Sequence, residues 1–428
     1  MRSIAPRAIW GFLVSAVFFA ATAGADYPNG PYGDNAPVPA PAVAADNAPE
    51  APKPAPGWRM LWDDGIRITA PDNIATIKFG GLFQWDAAWD AGDGGPHLAD
   101  HHHFRFVRPN ITGKLTKDID FRFEADFVKQ QVRLTDDWVR LSNIPFIKTV
   151  RVGHMKEPIC MDQFTSSAYI TFPEMPVSTA LTPARSFGIL AGGPYCDDRM
   201  TAFAGVFRNT ANWGSRSTAG GEALAFTARV TALPEYEEKG RHLIHVGGAV
   251  SFRDPSKPFS FSARPECNLA DKLTDTKNLT ADNFQLLDAE LATVQGPFYA
   301  TAEFMAANVD RTKGSDLWLD GFYVEAGWFL TGESRPYDRK SGTWGQLKPL
   351  HSVTDGGFGA WEISARYSNV DLTGATLPSS ARKLSEAIVG VTWYMTRNFK
   401  LTVDYGRSHA TPSTRDGGLF AVRLQAVF

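Results

Sequence analysis

Ile77-Lys-Phe-Gly-Gly-Leu-Phe-Gln-Trp-Asp-Ala-Ala-Trp89 changes character at every second residue. The odd positions read Ile77, Phe79, Gly81, Phe83, Trp85, Ala87 and Trp89, while Lys78, Gln84 and Asp86 fall on even ones. Successive side chains of a β-strand point to opposite faces, so this segment has one oily face and one wet face. The period returns along the chain. Phe121, Phe123, Ala125 and Phe127 alternate with Asp120, Arg122, Glu124 and Asp126, and Phe322, Val324, Ala326, Trp328 and Leu330 with Tyr323, Glu325 and Thr331. Trp361, Ile363, Ala365 and Tyr367 oppose Glu362, Ser364, Arg366 and Ser368. Phe399, Leu401, Val403 and Tyr405 oppose Lys400, Thr402 and Asp404, and the chain ends with Phe420, Val422, Leu424, Ala426 and Phe428 opposing Arg423 and Gln425.

The alternation predicts strands near 75–90, 103–116, 119–130, 133–142, 147–156, 184–192, 199–208, 221–233, 241–253, 283–294, 297–309, 318–331, 359–370, 384–396, 398–409 and 416–428. That is about sixteen, an even number, and most are long enough to cross a bilayer as tilted strands. A soluble sandwich also alternates, but its strands average only ~5–6 residues and need a second sheet to cover them. Beyond the N-terminus no apolar run reaches the ~18 residues of a membrane helix. The expected fold is all-β: a transmembrane antiparallel barrel of about sixteen strands.

Composition agrees. The 428 residues are 43% hydrophobic, 12% aromatic and 21% charged, enough for several globular domains or one large closed sheet. Lys and Arg total 43 against 46 Asp and Glu, a net charge of −3 without the basic excess of a nucleic-acid binder. Three cysteines, Cys160, Cys196 and Cys267, are too few and too irregularly spaced for a disulfide framework or a CxxC metal site. The 38 glycines beside 29 Phe and 12 Trp suit a twisted sheet with aromatic girdles.

Residues 1–25 have the three parts of an export signal: Arg2 and Arg7, an apolar run from Ala8 to Ala21, and small residues ending Ala23-Gly24-Ala25. Cleavage is expected after Ala25, with Ala23 as the second choice, and loss of the two arginines takes the charge from −3 to −5. Residues 26–58, with Pro37, Pro39, Pro41, Pro49, Pro52, Pro54 and Pro56, read as an extended periplasmic linker. The barrel domain then occupies 59–428.

The C-terminal Phe428, with apolar residues at alternate positions before it, fits the strand that outer-membrane assembly machinery recognises. From about Phe79 to Phe428 the chain resembles the phosphate-selective porin O and P family. The resemblance rests on Arg151-Val-Gly-His-Met-Lys-Glu-Pro158, Thr165-Ser-Ser167 with Phe172, Pro183-Ala-Arg185 with Gly188, Phe329-Leu-Thr-Gly-Glu-Ser-Arg-Pro-Tyr337 and Gly359-Ala-Trp-Glu-Ile-Ser-Ala-Arg-Tyr-Ser368. Where the family often has Phe-Met-Glu-Arg, this chain has Phe172-Pro-Glu-Met175, which lacks the loop cation. The resemblance implies an outer-membrane channel for passive diffusion of small hydrophilic solutes, with anions such as phosphate preferred. It also implies a homotrimer embedded in outer-membrane lipid, whose inward-folded segments narrow each pore; no cofactor is expected.

A water-filled barrel selects through the charges at its narrowing. The stretch 157–182 follows the fifth strand as an outer loop and brings Asp162 and Glu174 between Lys156 and Arg185. A second long connection, 332–358, falls on the periplasmic side by strand parity, where turns are usually short. Either a strand is miscounted or this turn enters the lumen; the resemblance favours the second. Arg335, Arg339, Lys340 and Lys348 outnumber Glu333, Asp338 and Asp355 there. Inward strand positions add Arg108, Lys114, Arg122, Arg140, Arg229, Arg366 and Arg423, but also Asp86, Asp126, Glu303, Glu325 and Glu362. Arg335, Arg339, Lys340, Lys348, Arg108, Arg122, Arg140, Arg366, Lys156 and Arg185 are the candidate anion contacts, since a guanidinium fork holds an oxyanion with two hydrogen bonds. Cross-strand ion pairs bracing the wall are the competing role.

Other features compete weakly. Asp100-His-His-His103 offers metal-binding imidazoles but reads as a solvated outer loop, and Asn110-Ile-Thr112 is a sequon inside a strand. No GxSxG, HExxH or P-loop occurs. An outer-membrane hydrolase would have to use Ser166, Ser167 and His154, and a structural or adhesive barrel would have a blocked lumen.

Overall fold

The computed structural model describes residues 57–428 except 72–73, 92–97, 99–100, 129–131, 209–223, 256, 375–376, 379, 381 and 412–415. The export signal and nearly all of the linker lie outside the described residues.

A hairpin of β1 (Arg59–Trp62) and β2 (Ile66–Thr69) precedes β3 (Thr76–Asp90), β4 (His102–Lys114), β5 (Ile119–Asp126), β6 (Arg133–Leu134), β7 (Asp137–Ile144) and β8 (Lys148–Lys156). Next come β9 (Arg185–Tyr195), β10 (Met200–Arg208), β11 (Leu224–Glu237), β12 (His242–Arg253) and the short pair β13 (Ser262–Ala263) and β14 (Thr274–Asp275). Then follow β15 (Ala281–Gln295), β16 (Phe298–Arg311), β17 (Leu317–Phe329), the short pair β18 (Tyr337–Asp338) and β19 (Thr343–Trp344), β20 (Ala360–Asp371), β21 (Lys383–Tyr394), β22 (Phe399–Thr411) and β23 (Gly417–Val427).

Sixteen of these form the wall, each antiparallel to the next. The wall closes where Leu82–Asp90 of β3 pair with Leu419–Val427 of β23. Closure removes the sheet edge, so the backbone donors and acceptors of the wall are paired within the protein, as a bilayer requires. Below that seam Thr76–Phe79 still need a partner, and Ile66–Thr69 supply it. The hairpin was not foreseen because its residues border a proline-rich tract and lack a long alternating run.

Every predicted wall strand is present. The one expected at 133–142 divides: Arg133 and Leu134 pair with Asp126 and Ala125, and the wall strand starts at Asp137. The lipid-facing set carries the alternation, with Val389, Val391, Val403, Phe420 and Leu424 exposed. Near the end where the chain terminates, Trp361 stacks on Trp393 and Phe298 on Trp328, part of the interfacial aromatic girdle.

The barrel's interior is packed by three long connections. Residues 157–184 fold in from the outer side, 254–280 descend beside them, and 330–359 rise from the periplasmic side. Val177 and Leu181 of the first join Phe261, Leu273 and Leu279 of the second against Leu319 and Leu384 of the wall. The parity conflict therefore resolves as an inward turn, with the strand count intact. Trp344 is buried and its N–H donates to Thr165 Oγ1 at 3.2 Å.

Candidate functional site

The lumen is charged because the inward strand positions alternate with lipid-facing ones, and most of those charges grip the inward segments. Residues 157–184 have little regular structure, so their peptide groups need outside partners. Carbonyl oxygens are held by wall donors. Lys156 Nζ reaches Thr165 O at 2.5 Å, Gln84 Nε2 reaches Ser167 O at 3.2 Å, Gln425 Nε2 reaches Ala168 O at 3.0 Å, and Lys400 Nζ reaches Ile170 O at 3.1 Å. Arg423 Nη1 donates to Pro173 O, and Arg366 Nη1 to Glu174 O at 2.9 Å. The N–H groups of Met161 and Asp162, at the helical turn Met161–Phe164, donate to the Glu303 carboxylate at 2.8 and 3.0 Å.

Side chains complete the grip. Glu157, at the start of the segment, takes Arg253 Nη1 at 2.8 Å together with Ser186 and Thr227 hydroxyls at 2.7 Å. Glu174 receives Arg105 Nε and Nη2 at 2.7 and 3.0 Å, and Arg423 Nη2 at 2.8 Å. Burial alone would raise the Glu174 carboxyl, but those two guanidinia outweigh it and hold it down at about 2. Asp162 goes the other way: burial pushes its carboxyl up against the pull of Arg366.

Among the predicted anion contacts, Arg366 is fully engaged. It binds Glu325 through Nε and Nη2, and Glu266 through Nη1 at 2.7 Å. Arg335 donates to Tyr169 O at 2.7 Å, lies 3.7 Å from Glu362 and stacks over Tyr299 and Trp344. Arg185 binds Asp136 at 2.7 Å, and Arg108 binds Asp126 at 2.9 Å while covering the Phe106 ring. Arg339 donates to the carbonyls of Asp197 and Asp198 at a turn. Lys340 and Lys348 are exposed.

Arg122 and Arg140 differ in access. Arg122 binds Glu124 at 2.5 Å and Arg140 binds Asp120 at 3.0 Å, yet each side chain keeps about a third of its surface in water, at 32% and 34%. Directly across from Arg140 lies Arg151 of β8, half-buried, its guanidinium 4.4 Å over the Trp138 ring. No carboxylate partner of Arg151 is seen among the described residues. Inward residues in the first half of β5, in β7 and in the first half of β8 are thus partly water-accessible, whereas Glu124 and Asp126 at the end of β5 are buried and those of β15, β16 and β20 to β22 are almost all buried. The water-accessible side of the lumen is the arginine-bearing wall.

Gly153 shapes this wall. Its φ is +140°, and a Cβ there would lie 2.2 Å from Asp137 O and 2.7 Å from Trp138 Cα. Only glycine lets β8 approach β7 so closely and keep Trp138 under Arg151.

Sequence reading passed over Arg105 and Arg151. Arg151 was within reach, since it shares the inward parity of Gly153 and Met155. Arg105 was not: Gln84 pairs with Phe106 and Trp85 with Phe104, so Arg105 is the extra residue of a β-bulge that breaks the period.

The remaining motifs do not assemble chemistry. His102 and His103 alternate on β4, and His103 contacts Asn268 at 2.9 Å. His154 Nδ1 bonds Thr135 O, and Ser166 Oγ accepts from Ala168 N–H. No hydrogen bond links His154 to Ser166 or Ser167 among the described residues.

A closed sixteen-stranded barrel, apolar outside and charged within, narrowed by segments clamped to its inner wall, defines an outer-membrane porin. The model of the family described as phosphate-selective porin O and P matches residues 77–428, so the chain belongs to that family. Porin O of Pseudomonas aeruginosa is 22% identical over 406 residues, covering 85% of this chain and 91% of that one. Two solved structures share the fold: an anion-selective porin from Comamonas acidovorans, with TM-score 0.53, 12% identity and coverage of 83% of this chain and 100% of that one, and OmpT of Vibrio cholerae, with TM-score 0.52, 11%, 86% and 100%.

Proposed function

We propose that this porin passes small hydrophilic anions, phosphate among them, in preference to cations, by passive diffusion and without hydrolytic activity. The observation that carries the reading is the partly exposed row Arg122, Arg140 and Arg151 on the water-accessible wall, set against acids that are largely buried and already bonded. Serial, partly neutralised guanidinia suit transport, which needs contacts weak enough to release the ion. The candidate cations buried under the inward segments are paired with carboxylates or bonded to carbonyls, and their part is to keep those segments in place.

The reversal potential of purified protein in a planar bilayer under a salt gradient tests this; a cation-selective potential refutes it. The porin is further expected to be a homotrimer, exported with cleavage near Ala25 and assembled through its C-terminal strand. Strands β5 and β7 have 8 residues each, short for a lipid-spanning strand of ~9–11, while Phe123, Val139 and Leu141 on their outer faces are exposed. A neighbouring copy would cover that low wall. Native mass measurement checks the stoichiometry.

A further inference from the structure

A cavity of about 300 Å³ lies between β4, the 170–180 part of the first inward segment and the 262–268 turn of the second. It is near the lower end of the range for small-molecule pockets, roughly 300–1,000 Å³. Two of its lining residues, Arg105 and Phe106, are consecutive on a strand and would face opposite ways but for the bulge, a device that re-aims a side chain. One side is apolar, with Ile170, Met175, Val177 and Ala263. The guanidinia are unequal. Arg105 and Arg423 are committed to Glu174 and Asp86, whereas Arg264 is fixed through Nη1 alone, to the carbonyls of Asn268 and Ala270 at 2.9 and 3.2 Å. Among the described residues no carboxylate pairs with Arg264.

We propose that this cavity is a subsite for small organic monoanions: a carboxylate taken by Arg264 and an apolar body laid on Ile170, Met175, Val177 and Ala263. The proposal rests on the anion-preferring reading and narrows it. An inorganic oxyanion leaves the apolar shelf unused and wet, and a neutral analogue forfeits the charge-assisted hydrogen bonds to Arg264. A ring carboxylate uses both. The cavity is open between two of the inward segments that narrow the lumen, so a bound molecule is expected to reduce the chloride current.

The test is single-channel recording in potassium chloride with added benzoate, inorganic phosphate or benzamide at neutral pH. Benzoate is expected to reduce the current at a concentration about tenfold below either of the others, the effect of one charge-assisted bond. Arg264→Gln should remove the advantage over benzamide, and Ala180→Phe, which fills the cavity from the 3-10 turn Val177–Leu181, should remove block by benzoate. Heat-modifiable migration verifies that each variant is folded. Block by benzoate no stronger than by phosphate or benzamide, or block that persists in both folded variants, overturns the subsite. An anion-selective reversal potential without preferential benzoate block sinks the subsite alone; a cation-selective one sinks the reading beneath it.

Discussion

Replacing Glu174 with glutamine separates loop anchoring from barrel stability. The carboxylate is clamped by Arg105 and Arg423, and its side chain is only 18% exposed, so solvent screens the contacts weakly. Its fall from the usual 4.5 to about 2 corresponds to roughly 3 kcal/mol of preference for the charged, clamped state. Glutamine keeps the shape but loses most of that sum. Arg423 retains Asp86, and the Pro173 and Glu174 carbonyls retain Arg423 and Arg366. The segment should therefore fluctuate about its seat without leaving the lumen, while Arg105 loses its carboxylate partner. In single-channel recordings E174Q is expected to show more open-channel noise and a reversal potential shifted toward anions, with heat-modifiable gel migration close to that of the parent. Acid should reproduce the noise. A carboxyl whose folded pKa is depressed contributes stability above about 4.5 and loses it as pH falls toward about 2, so the parent's noise should rise within that window and E174Q should stay flat. Unchanged noise and unchanged reversal potential in E174Q would refute the idea that this clamp seats the segment.

Arg151→Ala should lower the anion-to-cation permeability ratio while costing under about 1 kcal/mol, because no buried charge is left unpaired; the reversal potential and the heat-modification midpoint check the two halves separately. Arg366→Ala should do the reverse damage, stranding Glu325 and Glu266 in the interior at a cost of about 3–5 kcal/mol, seen as a large drop in that midpoint. Gly153→Ala forces a Cβ against the Asp137 carbonyl at positive φ and should cost more than about 1 kcal/mol, with a changed near-ultraviolet circular dichroism signal from Trp138.

The wall was legible because a bilayer imposes period two on every strand that crosses it, and a one-residue slip would turn Trp361, Ile363 and Tyr367 into the lumen. Residues 254–280 and the hairpin 59–69 were not legible. Their fold depends on finding partners distant in sequence, as when Glu266 meets Arg366 and Ser368, 100 and 102 positions away. Local pattern carries no record of such a meeting. The inward positions of Arg108, Arg122, Arg140, Arg229, Arg366 and Arg423 followed from parity, but which of them face water did not. That depends on how far the inward segments cover each one, and Arg105 escaped parity altogether.

Coverage also decides how a cation works in this lumen. An irregular segment threaded through a barrel exposes carbonyl oxygens that neither lipid nor a neighbouring strand can satisfy, and each needs a donor on the wall. Lysine, arginine and glutamine reach far enough to meet them, so Lys156, Lys400, Arg366, Arg423, Gln84 and Gln425 are drawn into that duty. Their positive charge needs balance, which Asp86, Glu174, Glu266 and Glu325 supply. A buried set of this kind is close to neutral and contributes little net field. Selectivity then falls to the cations where the inward segments leave the wall bare, and along β5, β7 and β8 those are Arg122, Arg140 and Arg151. Lengthening or shortening an inward segment would accordingly change the ion preference of the pore without altering a single charge on its wall.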